Sequence, residues 1–256
     1  MRLVAALALV LSLTPTPSRA QDVQTVDGWM TLALGLDSPL QPGLNRWLET
    51  ERDFVAPAVP TGDWKDRFPP MVTPRIELAA RVGRRMALGV SAQTFRGEVK
   101  NAGQSGAPPY ADWEGRVEQR FVEYGLHTSI WPPRWKGRYV GASVGFGRGT
   151  QSVNGSGLLT GDPNDRTNVN GTWKSSLKTY SAYAGWQIRY RDNPGLDLRA
   201  GWSWRDFGIV GGGPWTSVSG PTSGPLTDFT GRPVETDYSG PFVTLGFVFR
   251  SMHPEE

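Results

Sequence analysis

The side chains able to do chemistry are few. The chain has two histidines and no cysteine. Without a thiol there is no disulfide, no thiolate metal site, no cysteine nucleophile and no lipid-anchored N-terminal cysteine. His253 stands in a short polar tail. His127 follows Glu123 at four residues, and a relay from it to Ser143 or Ser203 is the raw material of a lipid-modifying enzyme. The plainer role for His127 is a hydrogen-bonding residue, because neither a Gly-x-Ser-x-Gly elbow nor a His-Glu-x-x-His pair occurs. Gly145-Phe-Gly-Arg-Gly149 and Gly211-Gly-Gly213 lack the following helix and the Lys-Ser/Thr of a phosphate cradle. Gly161-Asp-Pro-Asn-Asp165 lacks the spaced ligands of a calcium loop. The expectation is no catalytic residue, no cofactor and no metal.

The remaining charges need elements to position them, and those elements read with period two. Met30, Leu32, Leu34 and Leu36 share one face of a first segment. Ile76, Leu78, Ala80 and Val82 do the same in a second, and Met86, Leu88, Val90 and Ala92 in a third. Val122, Tyr124 and Leu126 mark a fourth, and Val140, Ala142, Val144 and Phe146 a fifth. Tyr180 to Ile188, Leu196 to Trp204 and Val243 to Phe249 complete eight. Each is about ten residues, enough to cross a hydrocarbon layer at a tilt. The connections at 83–85, 131–136 and 192–195 are short. Those at roughly 37–72, 98–112, 149–172 and 209–236 are long. Turns at one rim and loops at the other predict an all-β fold: an eight-stranded antiparallel up-and-down transmembrane β-barrel, both termini on the turn side.

The second face of these segments mixes small residues with Arg75, Glu77, Arg81, Gln93, Glu123, His127, Gln187, Arg189, Asp197, Arg199 and Arg205. In a narrow barrel this is a polar lumen network. Ionised groups there must pair, since an isolated buried charge is strongly disfavoured. Glu77, Glu123 and Asp197 are the expected counter-ions. A soluble β-barrel binding protein in the periplasm, with its charges facing water, is the competing arrangement. Trp29, Trp131, Trp135, Trp173, Tyr190, Trp204 and Tyr238 fall near predicted strand ends, where aromatic rings settle at a membrane interface.

The first twenty residues read as an export signal. Arg2 precedes an apolar run at residues 3–13, and Ser18-Arg19-Ala20 offers a small-x-small cleavage site. Cleavage after Ala20 removes two of the 27 basic residues and none of the 24 acidic ones, leaving about +1. No general attraction to nucleic acid follows from that. The expected organisation is a signal peptide at 1–20, a barrel domain at 21–250 and a tail at 251–256. Leu44, Trp47 and Leu48 recur at i, i+3 and i+4 and predict a short helix over residues 44–50 in the first long loop. That helix would cap the barrel mouth, lie on the membrane or pack the loop on the rim. The third and fourth long loops are rich in Gly, Ser, Thr, Asn and Pro and read as mobile surface loops. Asn154-Gly-Ser and Asn170-Gly-Thr read as turns.

The signal peptide, the short–long alternation and the last strand, Pro241-Phe-Val-Thr-Leu-Gly-Phe-Val-Phe249, together resemble the small eight-stranded outer-membrane barrels of Gram-negative bacteria, the OmpA/OmpX/OmpW type. The resemblance implies an assembly signal in Leu245, Gly246, Phe247 and Phe249, read by the barrel-assembly machinery. Here seven residues, Arg250 to Glu256, follow the usual final aromatic. It also implies the cell outer membrane as location, outer-membrane lipid as a partner and a surface ligand for the long loops. The leading functional expectation is a non-enzymatic protein with a structural or surface-interaction role. A narrow conduit for small hydrophobic molecules and a lipid-modifying enzyme are the alternatives.

Overall fold

Each of the eight alternating segments forms a strand, and the strands pair antiparallel until the last returns to the first. The computed structural model describes residues 28–108, 110–160, 162, 164, 166–188, 194–209, 213–217 and 219–250. The expected signal peptide and its cleavage site, the tail, Arg189 and Tyr190 lie outside the described residues. In chain order the elements are β1 (Gly28–Asp37), α1 (Pro42–Val55), β2 (Thr61–Asp63), β3 (Met71–Val82), β4 (Met86–Gln104), β5 (Asp112–Ile130) and β6 (Arg138–Leu158). They continue with β7 (Arg166–Ile188), β8 (Gly195–Ile209), β9 (Gly213–Ser217), β10 (Gly220–Gly224), β11 (Glu235–Asp237) and β12 (Gly240–Arg250). The order β7-β6-β5-β4-β3-β1-β12-β8 closes through the β7–β8 pairing into a ring of eight. The closing seam sets Met30 opposite Phe249 and Leu34 opposite Leu245. Closure leaves the eight strands no free edge, which is what lets a sheet cross lipid.

Pleating sends alternate residues to opposite faces. Buried residues fall at odd positions in seven of the eight strands and at even positions in β12. The opposite, outward face carries Leu34, Leu78, Leu126, Phe146, Tyr180 and Phe247, each more than half exposed. Apolar side chains exposed all round the ring form a belt that only hydrocarbon satisfies. The chain is therefore a transmembrane barrel, spanning the membrane with strands.

Four strands are much longer than the belt. A crossing needs about 9–11 residues, whereas β4 and β5 have 19 each, β6 has 21 and β7 has 23. At ~3.3 Å per residue, β7 runs about 75 Å along its own axis. Above the belt, on the loop side, the pleat keeps its phase and the polarity of its faces inverts. On β5 the outward series Ile130, Leu126, Tyr124, Val122 gives way to Arg120, Glu118, Arg116 and Glu114. The inward series His127, Glu123 gives way to Phe121, Val117 and Trp113, all buried. In lipid the barrel is apolar outside and polar inside. In water the same strands are polar outside and apolar inside.

This extension corrects the expected loops. Residues 98–104, 112, 149–158 and 166–172 are strand, not connection, and β5 begins well before the fourth alternating segment. Asn154 and Asn170 are not in turns; they face each other across the β6–β7 ladder. Gly-, Ser- and Thr-rich composition suits a strand here because large apolar residues from its neighbours occupy the inside.

Candidate functional site

Three sites are stacked along the barrel axis. The first is the lumen at membrane level. Arg199 grips Glu77 with both terminal nitrogens, each at 2.6 Å. It also contacts Asp197 at 2.5 Å through Nη2, and its Nε donates to Asp197 at 2.6 Å. The Tyr139 hydroxyl donates to Asp197 at 2.6 Å. Arg75 Nε lies 2.5 Å from Glu77. Nearer the loop side, Arg205 joins Asp37 at 2.7 Å and Glu123 at 3.2 Å, and Thr73 donates to Asp37 at 2.8 Å. A space of about 10 Å³ lies beside Arg75, Asp37, Glu123 and Arg205, near the lower limit for one water. Charge-assisted pairing of this kind is what permits ionised groups away from bulk water.

The residues named from the sequence for this network face inward, with Arg189 outside the described residues. Arg81 sits lower, 5.8 Å from the Trp131 ring centre. Gln93, Glu123 and Gln187 are buried. His127 is buried with its Nε2 3.9 Å from Glu77. Ser143 stands directly across the β5–β6 ladder from His127, but its hydroxyl hydrogen-bonds Ser181 at 2.6 Å, and Ser203 donates to the Gly240 carbonyl at 3.3 Å. Asp37, Thr73 and Tyr139 were missed as network members. Asp37 was legible, since it continues the odd, inward parity of β1 one step past the apolar run.

The second site is the cap. Helix α1 spans 42–55, longer at both ends than 44–50, because Pro42 suits a first helical turn and the apolar stripe continues to Val55. Its buried face is Leu44, Trp47, Leu48, Glu51 and Val55. That face packs into the apolar interior of the extended strands, against a cluster with Phe95, Val99, Trp113, Phe121, Val153, Trp173 and Tyr238. Gly43 has no room for a side chain, since a Cβ would collide with the Glu235 carbonyl. Arg46 ties the helix to Asp228 at 2.9 Å and to the Pro233 carbonyl at 2.8 Å. The helix therefore packs inward on the extended strands, with Leu44, Trp47, Leu48 and Val55 buried.

Glu51 is a carboxyl inside this apolar cluster. Asn101 donates to it at 2.7 Å and the Trp113 indole at 3.0 Å. Burial pushes its pKa up to about 7, against the opposing pull of those two hydrogen bonds. Sequence reading passed over it because Glu51 lies one residue past the helix expected over 44–50, in the charged run Glu51-Arg52-Asp53.

The aromatic assignments need correction at three positions. Trp29 points inward, packs edge-on against Trp131 at 5.9 Å and plugs the turn-side mouth. Trp173 and Tyr238 are buried in the cluster under the cap. Trp29 and Tyr238 lie near strand ends, as expected, whereas Trp173 is the eighth residue of β7 and well inside that strand; all three are turned inward. Trp204 and Trp135 are outward and nearly half exposed, and Trp131 is partly buried. Leu245, Phe247 and Phe249 face outward in the belt, while Gly246 faces inward.

The third site is a cavity of about 600 Å³ at the turn-side rim, between the β3–β4 turn, the β5–β6 connection and the end of β7.

Closed ring, inverted faces and ion-paired interior define the class: an eight-stranded transmembrane β-barrel with a capped extension on its loop side. No protein-family profile and no curated protein sequence matches the chain. Among solved structures the chain is similar to Ail, the attachment invasion locus protein of Yersinia pestis, in complex with the heparin analogue sucrose octasulfate. That likeness has 7% sequence identity and a TM-score of 0.35, over 88% of this chain and 97% of that one. Among the described residues, no group of three or more His, Asp or Glu side chains is placed to hold a metal.

Proposed function

We propose that this chain is a non-enzymatic outer-membrane protein whose barrel is an anchor and whose capped extension is its working surface outside the cell. The observation that carries the reading is the inversion of polarity along β4 to β7. A barrel used only to span lipid has no need of ten further residues per strand, folded around an apolar core of their own. The cap α1 and the Arg199 and Arg205 networks lie one above the other on the axis, which supports a closed lumen and speaks against a conduit. Export by the first twenty residues and insertion through the Leu245–Phe249 signal belong to the same reading.

Membrane fractionation, heated against unheated gel mobility and surface proteolysis of intact cells test it. The expected outcome is a heat-shifted outer-membrane band whose extension is cleaved from outside. Single-channel recording should show no conductance. A soluble protein without a heat-dependent shift would overturn the reading.

A further inference from the structure

The cavity at the turn-side rim has no part in the surface role just proposed. Its volume, about 600 Å³, is that of a small-molecule site. Among the described residues its lining holds four cationic side chains, Arg81, Arg84, Arg85 and Lys136, and no carboxylate. Arg84, Arg85 and Lys136 make no ion pair among the described residues. Like charges that line one cavity repel one another, and an anion between them relieves that.

The walls are fixed by backbone. Trp131 N–H donates to the Arg85 carbonyl at 2.8 Å, and Gln187 N–H donates to the Gly137 carbonyl at 2.9 Å. Gly137 has φ 72°, where a side chain would be strained, and a Cβ there would meet the Gln187 carbonyl at 2.6 Å. The cavity is therefore a built feature of three chain segments.

One wall is Trp186, which faces outward at the end of the belt and is nearly half exposed. From Trp186 the outward surface of β6, β7 and β8 is shallow. Ala142 pairs with Ala182, and Val140 pairs with Ala184, which in turn pairs with Ala200. Trp186, Leu198 and Trp202 edge this alanine patch. The result is a smooth apolar trough in the lipid-facing belt, running to the cationic cavity at the headgroup level. Acyl chain and anionic head are the two halves of one kind of molecule.

We propose that this cavity and trough bind an anionic phospholipid of the turn-side leaflet, its phosphate held by Arg84, Arg85 and Lys136 and one acyl chain lying on the alanine patch. The proposal rests on the transmembrane fold but not on the function of the extension. Basic residues at a membrane surface each favour anionic lipid by ~1 kcal/mol, less after screening. With screening halving that value, three of them supply about 1.5 kcal/mol, which predicts about a tenfold preference for an anionic over a zwitterionic lipid.

The test is native mass spectrometry of the full chain, released from micelles holding equal phosphatidylglycerol and phosphatidylcholine. Phosphatidylglycerol should be retained about tenfold over phosphatidylcholine. The triple variant Arg84→Gln, Arg85→Gln, Lys136→Gln should lose the preference, and Ala184→Trp should weaken lipid retention by filling the trough. Both variants must keep the heat-dependent gel shift of the parent, so loss of fold is seen separately. Inorganic phosphate at millimolar concentration should not displace the lipid. Equal retention of the two lipids, or an unchanged triple variant, overturns the proposal. So does displacement by inorganic phosphate, which would make this a site for a free anion.

Discussion

Arg199 and Glu77 stand 122 residues apart in sequence and meet inside the barrel through two parallel hydrogen bonds of 2.6 Å. They come from β8 and β3, which are not neighbours in the ring, so the pair reaches across the lumen. Breaking one partner of a buried pair costs about 3–5 kcal/mol, because the other is left charged and unpaired. Glu77→Gln should therefore lower the urea midpoint of the folded barrel by that order. Adding Arg75→Gln should recover part of the loss, since the interior then balances again. A midpoint shift worth under about 1 kcal/mol for the single variant would contradict the network.

Helix docking should depend on pH through Glu51. Its folded pKa of about 7 lies above the 4.5 of an unperturbed glutamate. The neutral form is the one the folded state prefers. Its stabilisation is complete below about pH 4.5 and is lost as pH rises through 7. The full effect is about 3 kcal/mol at most. Protection factors of residues 42–55, which divide out the pH dependence of intrinsic amide exchange, should be higher at pH 5 than at pH 8. Glu51→Gln keeps an uncharged side chain in place and should flatten that dependence.

Gly43→Ala should loosen the cap and spare the anchor. The added Cβ meets the Glu235 backbone, which cannot swing away as a flexible side chain can. Overpacking of this kind costs about 1–3 kcal/mol. Limited proteolysis should cut the 42–55 region faster, with the heat-dependent gel shift unchanged. Equal cutting rates would mean that the helix is not held where it is described.

The two solvents of the outer face can be told apart with one residue type. Leu126→Arg places a charge in the belt and should cost about 2–4 kcal/mol in a bilayer. Asn154→Arg places the same side chain on the exposed face of the extension and should change stability by no more than about 0.5 kcal/mol. Unfolding in vesicles measures both, and similar values would remove the boundary between lipid and water.

The phase of the strands was open to reading from the chain, because period two survives any change of solvent. Met30, Leu78, Leu126 and Phe247 point outward as their alternation requires. The extent of the strands was not. Past Thr94 on β4 the apolar residues move to the other parity, Phe95 and Val99, so a search for one continuous apolar face stops there. The same switch put Trp173 and Tyr238 on the wrong side. Among the ionic residues, Glu77, Glu123 and Asp197 stood out as carboxylates on a face of arginines. Asp37 was passed over because the first long connection was expected to begin there, although its parity marks it as inward. Glu51 lies one residue past the helix expected over 44–50, and a carboxyl buried by tertiary contact alone leaves no local mark.

The change of outward residue type has a use of its own. It falls between Arg120 and Val122 on β5, between Phe146 and Arg148 on β6, and between Lys178 and Tyr180 on β7. Val122 pairs with Arg148, and Phe146 pairs with Lys178. The change therefore slips by two residues at each of these steps, in the same sense, as a level plane does when it cuts tilted staves. The protein carries a waterline drawn in its own residues, and the tilt of its strands to that plane is written in the slope of the line.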